Sequence, residues 1–100
     1  MPAYVAHVTF TAPSLRRAQF RVMSRQLLQQ AQSDGTFRGV VRDEASRTVT
    51  ATVVTQAPSS STAQATVEGT CRTMVQRLER VPRSAVELEA DLRRAEHDGR

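Results

Sequence analysis

The sequence predicts an α+β sandwich in the element order β-α-β-β-α-β. The first observation behind this prediction is an internal repeat at an offset of 45, because residues 4–22 and 49–67 are identical at eight of nineteen positions. The second is the shared pattern of the two copies, which both run from alternating apolar residues through Ala-Pro-Ser into a helical apolar stripe. The third is length, since 100 residues suit a single domain with one core.

The first copy begins with a strand over residues 3–11, where apolar side chains alternate with polar ones. Pro13 and Ser14 follow this strand, and Ser14 offers a helix N-cap. Helix 1 is predicted over residues 15–33, which contain neither Gly nor Pro. Gly35 is expected to end it in the left-handed conformation.

A hairpin is predicted next. Its strands cover about residues 36–42 and 47–56, and both are rich in Val and Thr. The polar residues 43–46 between them have the length of a hairpin loop.

Helix 2 is predicted from Pro58 onward. Ser61 and Gln64 have the spacing of a capping box. A stripe of apolar residues in steps of three and four runs to Val81, and Pro82 then closes the helix.

The C-terminal segment fits two structures. Residues 84–96 could form a helix capped by Ser84 with Glu87 three residues on, or a strand with alternating apolar positions. The repeat favours the strand, because each strand–helix unit should end in a strand. We therefore expect one domain over 1–92 and a polar tail over 93–100.

Two such units in tandem form one antiparallel sheet of strand order 4-1-3-2, with both helices on one face. This is the ferredoxin-like arrangement. It carries many unrelated functions, so the fold alone does not identify an activity.

The face that the helices leave uncovered, called the open face below, is the candidate interface or ligand-binding surface. Its expected residues on the two central strands are Val5, His7, Thr9, Thr50, Thr52 and Val54. On the edge strands they are Arg38, Val40, Arg42, Glu87 and Glu89. Such a face would be acidic at one edge, Thr-rich in the middle and basic at the other. A two-fold axis would then lay acid over base twice, which predicts a homodimer.

No motif for chemistry stands out. We predict no catalytic residue, no cofactor and no metal, since Cys71 is alone and the two His and the acids lack ligand spacing. His7, flanked by Glu87 or Glu89, is the only candidate proton carrier. His97 lies in the tail.

Three functions remain open on the sequence. The first is a small, non-enzymatic binding or accessory module that pairs with itself or with a pathway protein. The second is a dimeric α+β-barrel that binds a small molecule or acts as a tailoring enzyme. The third is a nucleic-acid-binding domain, supported by arginines on helix 1 but disfavoured because the central strands lack stacking aromatics. No membrane span or secretory signal is visible, so we expect a cytoplasmic protein without a membrane partner.

Overall fold

The computed structural model describes residues 1–95 and has the predicted order of elements. These are β1 (Ala3–Thr11), α1 (Arg17–Gln32), β2 (Phe37–Asp43), β3 (Thr48–Gln56), α2 (Ser60–Gln76), a 3-10 turn (Arg83–Ala85) and β4 (Glu87–Arg94). The C-terminal segment is thus a strand and not a third helix. β4 continues two residues past the predicted start of the tail. Residues 96–100 of that tail, with His97, lie outside the described residues.

All four strands belong to one sheet of order β2-β3-β1-β4, and every neighbouring pair is antiparallel. The predicted ferredoxin-like fold and strand order are confirmed. β1 occupies the centre, with Val8 opposite Ala51 of β3 and opposite Ala90 of β4.

One core fills the space between the sheet and the helices. Alternate residues of β1 and β3 point into it, because successive side chains of a strand lie on opposite faces. The largest fully buried side chains include Phe10, Phe20, Met23 and Leu27. The predicted stripe of α1 and the helix-facing side of β1 therefore meet in the interior.

Both helices begin at residues other than the predicted caps. The N-cap of α1 is Arg16, whose backbone N–H donates to Gln19 Oε1 over 3.1 Å, while Ser14 is exposed. The N-cap of α2 is Ser59, whose Oγ accepts from the backbone N–H of Thr62 over 3.2 Å. The Ala-Pro-Ser signal thus marks the start of each helix to within two residues, and its serine is the N-cap only in the second copy.

The ends of the helices also differ from prediction. Gly35 does not adopt a positive φ, and Asp34 Oδ1 instead accepts from the Thr36 backbone N–H over 3.0 Å. The apolar stripe of α2 continues to Leu78 and Val81, but the helix ends at Gln76 and both residues are buried from the following loop.

The loop after α2 is attached to α1 by the side-chain amide of Gln26, which forms a pair of hydrogen bonds with the backbone of Glu79. Gln26 Nε2 donates to the carbonyl of Glu79, and Gln26 Oε1 accepts from the Glu79 N–H, each over 2.8 Å. Leu78 and Val81, the last two residues of the apolar stripe, are therefore buried although the helix ends at Gln76.

A β-bulge interrupts β2. Arg38 pairs with Thr52 and Val40 with Ala51, so Gly39 is an extra residue, with a φ of 72°. Every side chain of β2 beyond Gly39 therefore lies on the opposite face from the one that uninterrupted alternation would give it.

Within residues 1–95, neither helix is long and apolar enough to cross a membrane.

Candidate functional site on the open sheet face

The open face consists of four cross-strand rows. From the β2 edge to the β4 edge, the rows contain Asp43, Thr48, Thr11 and Glu87, then Val41, Thr50, Thr9 and Glu89, then Arg38, Thr52, His7 and Asp91, and lastly Val54, Val5 and Arg93. Side chains within a row are close enough to contact one another. The middle of the face is thus built from β-branched residues and one imidazole.

Nine of the eleven predicted residues lie on this face. They are Val5, His7, Thr9, Arg38, Thr50, Thr52, Val54, Glu87 and Glu89. The alternation along β1, β3 and β4 was sufficient to place them, because none of these strands carries a bulge within its pairing.

The two exceptions are Val40 and Arg42, which lie on the helix side. The bulge at Gly39 is the cause, since it shifts the alternation of β2 by one residue. Val40 packs against the core, and Arg42 Nη1 lies 3.4 Å from Ser24 Oγ of α1. In their place Val41, expected to face the helices, points to the open side and is 68 % exposed.

Because Arg42 lies on the helix side, the β2 edge of the open face is not the basic edge that the sequence predicts. Of the predicted arginines, Arg38 alone remains on the β2 edge, where it donates to the backbone carbonyls of Gly35 and Phe37. The opposite edge is acidic with one cation, because Arg93 Nη2 lies 3.8 Å from Asp91 Oδ2. The charge pattern is therefore asymmetric, because Arg38 and Asp43 balance on the β2 edge while the β4 edge is mainly acidic.

His7 has a different carboxylate neighbour from the one expected. Asp91 stands opposite it on β4, whereas Glu89 is opposite Thr9 and Glu87 is opposite Thr11. His7 is exposed, and its side chain makes no hydrogen bond within residues 1–95. This is a position from which an imidazole can contact a bound molecule, without the fixed orientation of a catalytic dyad.

Side chains able to ligate a metal do not cluster within residues 1–95. No group of three or more His, Cys, Asp or Glu in that range is close enough to hold a metal ion. Cys71 lies in the core, and burial raises the pKa of its thiol to about 11. The thiol is therefore protonated at neutral pH and is not a nucleophile.

Aromatic rings are placed on the other side of the sheet. Tyr4, Phe10 and Phe20 are buried, and Phe37 packs against the core from the helix side. Within residues 1–95, His7 is thus the only ring that the open face could offer to a nucleobase.

The arginines of α1 are partly neutralised. Arg21 donates to Glu44 over 2.8 and 3.2 Å, and Arg17 lies 4.0 Å from the same carboxylate. Arg21 lowers the pKa of Glu44 through these hydrogen bonds, which keeps the carboxylate charged. The sequence pattern of arginines therefore overstates the positive charge of this helix face.

Sequence reasoning missed a groove between α1 and β2, which holds Arg42 and a half-exposed Leu28. Two signals for it were present. Gly39 inside a predicted strand is typical of a bulge, and Leu28 lies outside the main apolar stripe of α1.

The fold is similar to that of SnoaB, a cofactor-independent oxygenase from Streptomyces nogalater, in the crystal structure of a point variant. The alignment covers 96 % of each chain at 14 % sequence identity, with a TM-score of 0.51. At this identity the similarity extends to the fold and not to individual residues. No protein-family model matches the chain, and no curated protein matches it.

Proposed function

We propose that this protein is a small, non-enzymatic binding module that acts as a homodimer, with two open faces stacked on each other. The observation that carries the proposal is the composition of the central strands on that face. Val5, Thr9, Thr50, Thr52 and Val54 are all β-branched and already half-buried in the single chain. Ionisable side chains, apart from His7, lie on the edge strands.

Such a centre favours sheet stacking for two reasons. β-branched side chains have few rotamers, so ordering them at an interface costs little conformational entropy. Their methyl groups also supply the apolar area that two sheets bury when they pack about 10 Å apart. An apolar centre with a charged rim is the usual anatomy of a protein interface.

The test is the oligomeric state of the protein and of a face variant. We expect sedimentation velocity to give a dimer at micromolar concentration. Thr52→Arg places a long charged side chain in the centre of each face, and it should yield a folded monomer. Thr66→Arg, an equally drastic change at an exposed position of α2, is the matched control and should remain dimeric. A wild-type protein that is only monomeric at this concentration, or dimers that survive Thr52→Arg, would refute the proposal.

A second candidate is a dimer that encloses a small-molecule site between its sheets and acts as a tailoring enzyme. Two observations favour it: the fold shared with the oxygenase SnoaB, and the row that brings Arg38, Thr52, His7 and Asp91 together. In a stacked dimer His7 would be enclosed, and it would be the group able to move a proton at the centre. A crystal structure of the dimer separates the two functions. A closed cavity beside His7 of about 300 Å³ or more supports the enzyme, and a fully packed contact supports the binding module.

A further inference from the structure

The groove between α1 and β2 is a consequence of the bulge. With Val40 and Arg42 turned to the helix side, a cavity of about 350 Å³ lies between them and Ser24, Arg25 and Leu28, with the buried Val49 as its floor. A second cavity of about 240 Å³ continues along the same groove past Phe37, and Leu28 and Val40 line both. The total size is within the range of small-molecule sites.

The groove is apolar along its length and cationic at one end. Leu28 is 38 % exposed and Val40 is half-buried, so apolar surface is open to solvent here. Arg25 and Arg42 stand at the cationic end, and neither has a carboxylate oxygen within 4.0 Å in residues 1–95. Arg21, one turn away from Arg25 on α1, does have such a partner, because it forms an ion pair with Glu44.

Ser24 adds a buried polar group at the cationic end. Its side chain is 3 % exposed, and its hydroxyl donates to the Arg21 carbonyl over 3.1 Å. The same oxygen lies 3.4 Å from Arg42 Nη1, so it orients the guanidinium across the mouth of the groove. One donor of Arg42 is thus used internally, and its other donors have no hydrogen-bond partner within residues 1–95.

We propose that this groove binds an amphiphilic anion, with a carboxylate head between Arg25 and Arg42 and an unbranched apolar body over Leu28 and Val40. The planar fork of a guanidinium matches a carboxylate in two hydrogen bonds. The apolar body would cover the surface that the protein leaves uncovered, and each buried methylene contributes to affinity.

A peptide strand that pairs with the outer edge of β2 fits this part of the molecule less well than a ligand in the groove does. The outer edge of β2 is interrupted by Gly39, and a bulge twists an edge strand away from regular pairing. Bulges of this kind protect edge strands against strand addition, so the ligand is expected to sit under the helix and not beside the strand.

Calorimetric titration of the whole chain with decanoate, below its micelle concentration, tests the proposal. We expect decanoate to bind and nonyltrimethylammonium, which has the same alkyl tail and a cationic head, not to bind. Arg25→Gln and Arg42→Gln should each weaken binding about tenfold, because each removes a charged hydrogen-bond donor. Arg83→Gln, a change at an exposed arginine of the 3-10 turn, is the matched control and should bind as the wild type does.

Three results would overturn the assignment. These are no binding of decanoate, equal binding of the cationic amphiphile, or unchanged affinity in both groove variants with unaltered thermal unfolding. Nonyl phosphate, which has the same alkyl tail as decanoate, serves as a further arm, and tighter binding of it than of decanoate would refute the carboxylate head. The groove lies on the helix side of the sheet, so these outcomes do not depend on stacking of the open faces.

Discussion

Gly69 lies in the interior of α2. A glycine in the middle of a helix suggests the close approach of another segment, since it otherwise costs stability. In the structure a Cβ built on Gly69 would meet no atom within 4 Å among its non-local neighbours, and its φ is not positive. Within residues 1–95, neither space nor backbone conformation requires glycine here.

Gly69→Ala should therefore stabilise the protein. The gain in helix propensity is about 1 kcal/mol, which corresponds to a rise of about 4–8 °C in the thermal midpoint of a domain of this size. Differential scanning calorimetry measures both quantities. Gly35→Ala is the control for the contribution of helix propensity, because Gly35 also faces open space but lies outside the helices. A loss of stability in Gly69→Ala, or a loss of the dimer, would mean that another chain packs against this helix.

At the scale of elements, the bulge in β2 decides which residues belong to which surface. The sequence of residues 37–43 does not decide which alternate residues face the core, because both the odd-numbered and the even-numbered positions include apolar and charged side chains. Pairing with β3 sets the phase, and the extra residue at Gly39 brings Val40 over the core in place of Val41. Phe37 and Val40 are therefore the two apolar side chains of β2 that pack against the core.

Replacing Gly39 tests whether this element depends on its backbone conformation. Gly39 has a φ of 72°, and a Cβ at this position would meet no atom within 4 Å. Gly39→Ala should therefore lose about 1–2 kcal/mol of unfolding free energy through backbone strain alone. Gly39→Asn should lose less, since Asn tolerates the left-handed region better. Denaturant titration gives both values. Equal, negligible losses would indicate that the strand can relax to a regular pairing.

The elements also show why prediction succeeded in some places and failed in others. β1 and β3 alternate without interruption and repeat each other, so their bounds and faces follow from the sequence. The choice of strand for β4 followed from the repeat, against helix propensity. The end of α2 did not follow, because Leu78 and Val81 keep helical spacing while packing from a loop held by Gln26.

At the scale of the whole molecule, the proposed stacking of two open faces has an orientation that charge substitutions can test. A two-fold axis parallel to the strands places β2 of one chain over β4 of the other and preserves the rows. In that arrangement Arg38 would lie over Asp91 of the other chain, an attractive pair, and Asp43 over Glu87, a repulsive pair, each twice. An axis across the strands would instead place β4 over β4 and reverse the order of the rows, so that Arg38 and Asp91 would not meet.

A charge swap between these two positions tests that orientation. Arg38→Asp and Asp91→Arg should each weaken the dimer, because each places like charges opposite one another at two symmetric positions. The double variant restores opposite charges in reversed order, and its dissociation constant should return to within about threefold of the wild type, about 0.6 kcal/mol. Sedimentation equilibrium at low salt measures the four constants, and added salt should reduce the differences between them. If the double variant is as weak as the two single effects combined, Arg38 and Asp91 do not meet, and the faces stack about another axis.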